Sequence, residues 1–210
     1  MTAFTNSEGH VYRLAYDGQS RVIAATNGAN EQVFRNFFDA CGNLTNHVDG
    51  AGRYTRKQFD VLNRCTNTVY ADNSTEAFTF DAAGNLLTAK NAATTNTFGY
   101  SSMNQLTVSV SRVEGVAFTN SYRYDLGGLA TNIVYPGGKT VQYALDADGR
   151  VTNVVDWAGH TWQMTRDAAG RMTALAYPNN INGTWGYDAS SAVTSWGYNC
   201  LLYTSDAADE

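Results

Sequence analysis

The sequence predicts an all-β protein in which antiparallel β-hairpins, with a repeat of about 21 residues, join into a curved strip. Three observations carry this prediction. The chain includes 24 Thr, 20 Asn, 19 Gly and 13 Tyr against 3 Lys and 5 Glu, so strand and turn formers displace the residues that build exposed helix faces. A phrase of the form aromatic-Asp-x-x-Gly returns at nearly constant spacing along the chain. Between phrases, apolar residues alternate with Thr or Asn, the period-two pattern of a strand with two unlike faces.

Composition sets the outer limits. At 43% hydrophobic and 12% aromatic the chain is too apolar for intrinsic disorder, and its 16% charged residues fall below the roughly 25% usual in soluble proteins. No apolar run approaches the ~18 residues of a membrane-spanning helix, and Met1-Thr2-Ala3-Phe4-Thr5-Asn6 has neither the basic flank nor the apolar stretch of a signal peptide. The last eleven residues, Cys200 to Glu210, carry no repeat phrase. Back-translated, they match the adaptor of transposase-based sequencing libraries, so residues 200–210 are expected to be a non-native tail following an array over 1–199. Without that tail fourteen bases face sixteen acids, a near-neutral balance that indicates no nucleic-acid partner. The two remaining cysteines, Cys41 and Cys65, sit at different offsets within the repeat and are expected to be free thiols rather than a disulfide.

The phrases, taken in order, begin at Tyr16, Phe38, Phe59, Phe80, Tyr100, Tyr124, Leu145, Arg166 and Tyr187, with successive spacings of 22, 21, 21, 20, 24, 21, 21 and 21. Phe38-Asp39-Ala40-Cys41-Gly42-Asn43-Leu44-Thr45 and Phe80-Asp81-Ala82-Ala83-Gly84-Asn85-Leu86 are the fullest copies. Each reads as a turn, because an Asp carboxylate accepts from backbone N–H groups two or more residues on and the Gly takes the positive φ that closes the reversal. Ser20, Asn63 and Ser191 stand where the Gly should be, Ser101 follows Tyr100 in place of Asp, and Arg166 replaces the aromatic. About eleven residues after each origin comes a second reversal, clearest in Tyr135-Pro136-Gly137-Gly138-Lys139 and Tyr177-Pro178-Asn179-Asn180. The returning strand carries a bulky residue two places before the next origin, as in Phe78/Phe80, Tyr122/Tyr124 and Trp185/Tyr187, so both rings fall on one face. Such a hairpin cannot bury its rings alone and must stack on neighbours. The longest interval, from Tyr100 to Tyr124 through Ser109–Gly115, is expected to hold a longer surface loop. Nine two-stranded units exceed what an open sheet carries without curling, and no Pro- or Gly/Ser-rich linker breaks the series.

The phrase Tyr/Phe-Asp-x-x-Gly-Arg/Asn-Leu/Val-Thr at this spacing resembles the YD repeat of Rhs-family proteins over roughly residues 12–199. That resemblance implies a β-sheet strip wound as part of a spiral shell, as in bacterial Rhs toxins, insecticidal toxin complexes and teneurins, where the bacterial shells enclose a C-terminal toxin. It assigns a structural role to Tyr16 and Asp17; Phe38, Asp39 and Gly42; Phe59 and Asp60; Phe80, Asp81 and Gly84; Tyr124, Asp125 and Gly128. In the later copies it assigns the same role to Asp146, Gly149 and Arg150; Asp167, Gly170 and Arg171; and Tyr187 and Asp188. Bacterial relatives typically end the shell in an aspartyl autoprotease region. No Asp-Pro dipeptide and no such region occurs in this sequence, which therefore reads as shell wall.

No catalytic, cofactor-binding or metal site is expected. The Asp residues recur at turn positions in eight of the nine phrases, where an active site would have to be built over and over. Asp156 precedes His160 by four residues with Trp157 and Trp162 nearby; this could be an acid/base pair, but a hairpin turn closed by Gly159 is favoured. His10, His47 and His160 are scattered, and the cysteines lack zinc-ligand spacing. The expected function is a non-catalytic wall segment of an Rhs/YD-repeat shell, extracellular or at the cell surface. Its partners would be the remaining repeats and a C-terminal effector of the parent protein. The alternatives are an adhesin or glycan-binding repeat module, with exposed Phe78, Tyr122 and Trp185 as its mark, and a β-propeller with two repeats per blade.

Overall fold

The computed structural model describes residues 2–199; residue 1 and the segment 200–210, expected to be a non-native tail, lie outside the described residues. The described residues divide into two compact units, 2–99 with 110–117 and 100–109 with 118–199.

The first unit contains β1 (Thr2–Thr5), β2 (Val11–Tyr16), β3 (Val22–Asn27), β4 (Gln32–Phe38), β5 (Leu44–Asp49), β6 (Tyr54–Phe59), β7 (Cys65–Val69), β8 (Thr75–Phe80), β9 (Leu86–Lys90) and β10 (Thr94–Tyr100) up to Gly99. Consecutive strands from β1 to β10 pair antiparallel. Residues 110–117 lead from β11 (Leu106–Val113) into β12 (Val116–Tyr124) through Glu114 and Gly115, at φ 50° and 81°. The long surface loop expected in this interval is absent. Alternating Val, Ser and Thr extend β11 to 8 residues and β12 to 9, and Gly115 supplies the left-handed conformation that a two-residue reversal needs.

The second unit runs through the remainder of β12, then β13 (Ala130–Val134), β14 (Thr140–Leu145), β15 (Val151–Val155), β16 (Thr161–Arg166), β17 (Met172–Ala176), β18 (Asn182–Tyr187) and β19 (Val193–Tyr198). It is the same antiparallel meander. A 3₁₀ turn at Pro136–Gly138 is the one helical element among the described residues.

Register separates two faces. One face carries the phrase aromatics and, in the second unit, rows such as Tyr143–Val154–Trp162 and Met164–Leu175–Gly183. In the first unit the equivalent rows include Leu14–Ala25, Asn36–His47–Thr55 and Lys57–Thr68–Glu76. Ala25 and Thr68 on this face are nearly inaccessible, 3% and 4% exposed, while Phe78, Tyr122 and Trp185 are half-buried. Strands touch mainly their sequence neighbours, so most side chains are covered on one flank and open on the other.

Candidate functional site

What repeats most faithfully is a loop. Asp60 to Arg64 shows its parts: the Asp60 N–H donates to the Arg64 carbonyl at 3.0 Å and the Asn63 N–H to the Asp60 carbonyl at 3.0 Å. Asp60 Oδ1 accepts from the N–H groups of Leu62 and Arg64 at 2.9 and 3.0 Å. This is a turn followed by one left-handed residue, a common three-residue hairpin connection. The fourth residue, Asn63, has φ 61°.

The same two backbone bonds, with positive φ at the fourth residue, occur in sixteen of the connections. Nine are the phrase loops, opening at Asp17, Asp39, Asp60, Asp81, Ser101, Asp125, Asp146, Asp167 and Asp188. Seven lie at the intervening reversals, opening at Asn6, Asn27, Asp49, Tyr70, Tyr135, Asp156 and Tyr177. The backbone therefore repeats about every half period. Gly42, Gly84, Gly128, Gly149 and Gly170 hold the left-handed position, with φ between 78° and 93°. Where the phrase lacks Gly, Ser20, Asn63, Asn104 and Ser191 take φ of 62°, 61°, 59° and 69°, so the departures change the residue and leave the loop unchanged. Asp156 belongs to this set: Oδ1 accepts the Ala158 and His160 N–H groups and Oδ2 lies 2.9 Å from His160 Nδ1.

Phrase loops carry features that the intervening loops mostly lack. The ladder slips by one residue just before the phrase Asp, between Ala15/Tyr16, Phe37/Phe38, Gln58/Phe59, Thr79/Phe80, Arg123/Tyr124, Ala144/Leu145, Thr165/Arg166 and Gly186/Tyr187. A Thr hydroxyl two residues past several of these loops donates to the carbonyl beside the slip: Thr45 to Phe37, Thr66 to Gln58, Thr131 to Arg123 and Thr152 to Ala144.

The fifth loop residue reaches forward to the next phrase. Arg64 Nε donates to Asp60 Oδ2 at 2.7 Å, Nη1 donates to the Asp81 carbonyl at 2.9 Å, and the guanidinium lies 4.8 Å from the Phe80 ring centroid. Arg171 repeats this with Asp167, the Asp188 carbonyl and the Tyr187 ring; Arg21 covers Phe38 at 4.4 Å. Asn43 reaches Asn63, and Gln105 reaches the Gly128 carbonyl. In the other direction the Tyr124 and Tyr187 hydroxyls donate to the carbonyls of Leu106 and Met172, and Arg166 Nη1 donates to that of Val151. Arg166, which breaks the aromatic pattern, thus makes the bond that a tyrosine makes elsewhere. Sequence reading misses these links. The available signal is an Arg set at a near-constant distance before the next phrase aromatic: Arg21 before Phe38, Arg64 before Phe80 and Arg171 before Tyr187.

Electrostatically the loops consume their own charge. The Arg64 N–H holds the Asp60 carboxyl below the usual carboxylate range, helped by the Arg64 side chain against partial burial. The Asn43 side-chain amide depresses Asp39 and that of Asn85 depresses Asp81, each helped by backbone N–H groups of its loop. The structure brings each carboxylate to its own loop and no two together at one centre. Among the described residues no cluster of His, Cys, Asp or Glu could hold a metal ion, and no helix is long and apolar enough to cross a membrane. Cys41 and Cys65 are free, the first exposed and the second half-buried. A groove of about 750 Å³ runs between the loops at 49–53 and 70–74 and is lined by His47, Tyr54 and Tyr70. There the Tyr70 hydroxyl donates to Glu76 at 2.9 Å, which raises its pKa.

An antiparallel meander closed by Asx-capped hairpin loops defines a β-hairpin repeat protein. The teneurin YD-shell family matches residues 1–161, and the RHS repeat matches residues 146–181. The chain belongs to the YD-shell family. Among solved structures it is similar to a TcdB2–TccC3–Cdc42 complex, with TM-score 0.68 and 14% identity over 92% of this chain. It is also similar to TcdB2–TccC3 without its hypervariable C-terminal region, with TM-score 0.67 and 14% identity over 92% of this chain. The Photorhabdus luminescens Tc holotoxin pore gives TM-score 0.56 and 15% identity over 92%. The chain spans 12% of the length of each of these three. No curated protein in the comparison matches it.

Proposed function

We propose that this chain is a non-catalytic wall segment of an Rhs/YD-repeat shell which, in its full-length parent, encloses or presents a toxin or other effector outside the producing cell. The observation that carries this reading is the sixteenfold loop: the recurring carboxylates are spent on backbone N–H groups and neighbouring guanidiniums that hold hairpins in register. The repeat positions from Tyr16/Asp17 to Tyr187/Asp188 are, on this reading, wall residues. Membership of the YD-shell family and likeness to toxin-complex shells support it.

The test is protease protection in the complete parent. A segment downstream of the array should survive digestion while the shell is folded and be degraded when expressed alone; equal rates would refute enclosure. Intact mass after prolonged incubation of the present chain should show no self-cleavage, and site-specific cleavage abolished by a single Asp→Asn change would overturn the wall-only role.

A second reading, glycan binding, draws on Trp157, 56% exposed beside Tyr135 at 6.4 Å with Lys139 5.2 Å from its ring. Exposed aromatic and polar side chains in this arrangement suit a saccharide. Saturable binding on a glycan array, lost in Trp157→Ala, would favour it.

A further inference from the structure

Six arginines of the first unit fall into two sets. Arg21, Arg53 and Arg64 lie in loops and pair with Asp17, Asp49 and Asp60, whereas Arg13, Arg35 and Arg56 lie in strand interiors. Register puts these three arginines on one face, the face opposite the phrase aromatics. Arg13 opposes Thr26, Ala24 opposes Arg35, Phe37 opposes Asn46, and Asn46 opposes Arg56. They occupy the same place in three successive repeats, four residues before the phrase Asp.

None of the ion pairs among the described residues involves Arg13, Arg35 or Arg56. Arg13 donates to Asn30 and Arg56 lies over the Tyr54 ring at 4.2 Å. Phe37, 48% exposed, shares the face with Arg35, and a pocket of about 310 Å³ is lined by both together with Ala24 and the Asp17–Arg21 pair. At the equivalent positions the second unit carries neutral Ser121, Gln142, Gln163 and Thr184.

The geometry points to this face of the first unit as a docking surface for an acidic polypeptide segment of a separate protein chain. Charge complementarity selects the sign: three guanidiniums without carboxylate partners offer paired donors to carboxylates. Their spacing selects a peptide over a continuous polyanion. Alternate strands stand roughly 9–10 Å apart, so the arginines are widely spaced, and in the flanking loops Asp17, Asp49 and Asp60 are already paired with Arg21, Arg53 and Arg64. A nucleic acid or sulfated glycan, charged at every unit, would leave most of its charges unpaired between arginines so widely spaced. An acidic segment with apolar residues between its carboxylates would reach the arginines and also cover Phe37.

The experiment measures fluorescence anisotropy of a labelled twelve-residue peptide of alternating Glu and Leu against the full chain. Saturable binding is expected at 50 mM salt, weakening roughly tenfold by 300 mM as the exposed charges are screened. Arg35→Glu/Arg56→Glu should abolish binding and Arg35→Gln/Arg56→Gln should weaken it about tenfold, while Gln142→Glu/Gln163→Glu in the second unit should leave it unchanged. Circular dichroism and denaturation midpoints establish that each variant folds; the Gln pair carries the test if the Glu pair does not fold. Absence of saturable binding, binding indifferent to both arginine pairs, or stronger binding of a heparin fragment or single-stranded oligonucleotide of equal charge would each overturn the proposal. So would concentration-dependent dimerisation lost in the arginine variants, which would make the occupant a second copy.

Discussion

The phrase loops and the intervening loops share one backbone and differ in what surrounds it. Asp49 to Arg53 and Asp60 to Arg64 have the same two backbone bonds, the same carboxylate cap and the same Asp–Arg contact at 2.7 Å. Yet Arg53 is 74% exposed and Arg64 only 25%. Arg64 continues to the Asp81 carbonyl and the Phe80 ring; Arg53 makes no such forward link among the described residues. Loop closure is thus a local property of five residues, whereas the arginine link from one loop to the next phrase belongs to the phrase side; the intervening side has other contacts, Tyr54 with Asn73 and Lys139 with Trp157. That asymmetry makes the full phrase-to-phrase interval the working repeat, although the backbone repeats at half that length. It also gives each hairpin a nearest-neighbour interface of the kind that stabilises repeat arrays.

The largest expected effect tests the left-handed position in two packing contexts. Gly84 has φ 93° and open space where a Cβ would stand; Gly170 has φ 81°, but its Cβ would meet Arg150 Nη1 at 2.7 Å. Gly84→Val should cost about 1–3 kcal/mol of backbone strain, and Gly170→Val more, because Arg150 must also move. Thr88→Ser should be nearly silent, since its hydroxyl can keep the 2.6 Å bond to Thr79. Denaturant midpoints at constant slope would measure all three. Equal losses at Gly84 and Thr88 would show that φ at the fourth position does not control the loop.

Next in size is the forward link. Arg64→Ala should destabilise by roughly 1–2 kcal/mol, losing a hydrogen bond, an ion pair and a ring contact at a half-buried site. Arg53→Ala should cost less than about 0.5 kcal/mol, as exposed pairs do. A double-mutant cycle of Arg64→Ala with Phe80→Leu should reveal coupling between adjacent repeats; simple additivity would remove the case for a forward link.

Much of this is legible in sequence because Asp and Gly mark turns for reasons confined to a few residues. Asp39 and Gly42 announce their loop through capping and positive φ. Ser20 and Ser191 do not, since Ser carries no strong left-handed signal and the loop geometry is imposed by the hairpin it closes. Tyr70, Tyr135 and Tyr177 open intervening loops without a capping carboxylate, so those reversals show through Pro, Gly and Asn instead. The forward links are hidden for a different reason. Arg64 and Phe80 meet because strands β7 and β8 intervene and return, so their separation in sequence acquires meaning once the pairing is known. The extended β11 and β12 read as a loop because an interval in a repeat does not distinguish longer strands from a longer connection. The polar rows Asn36–His47–Thr55 and Lys57–Thr68–Glu76 likewise emerge from register.

A smaller, stabilising effect follows from Ser20 and Ser191. Both stand at the fourth loop position at positive φ, 62° and 69°, where glycine avoids the clash of a Cβ with the carbonyl. Ser20→Gly and Ser191→Gly should each raise stability by about 0.5–1 kcal/mol, the relief of left-handed strain exceeding the added entropy of the unfolded glycine. A neutral or destabilising result would mean that the serine hydroxyl contributes at that position, and at Ser191 the Arg171 contact of 3.2 Å is the bond to examine.

The smallest effect is on pH dependence. Asp17, Asp39, Asp49, Asp60, Asp81, Asp167 and Asp188 all have carboxyls held below their ordinary value, principally by hydrogen bonds from the loop's own backbone and side chains. Because the folded pKa lies below the unfolded one, their contribution is fully present above the unfolded value near 3.8. It disappears as pH falls through the folded values, where the unfolded chain has already taken up its protons. Stability should therefore be nearly level from pH 7 to about pH 5 on account of these groups, and drop below about pH 4. Asn6 and Asn27 already cap equivalent loops with an uncharged oxygen, so Asp60→Asn should preserve the loop while removing its titration. The substitution should lower stability slightly at pH 7 through the Arg64 pair, and the difference from the parent should shrink as pH falls toward 3. A gap that widens on acidification would reverse the sign and show that Asp60 is protonated more readily in the folded chain than in the unfolded one.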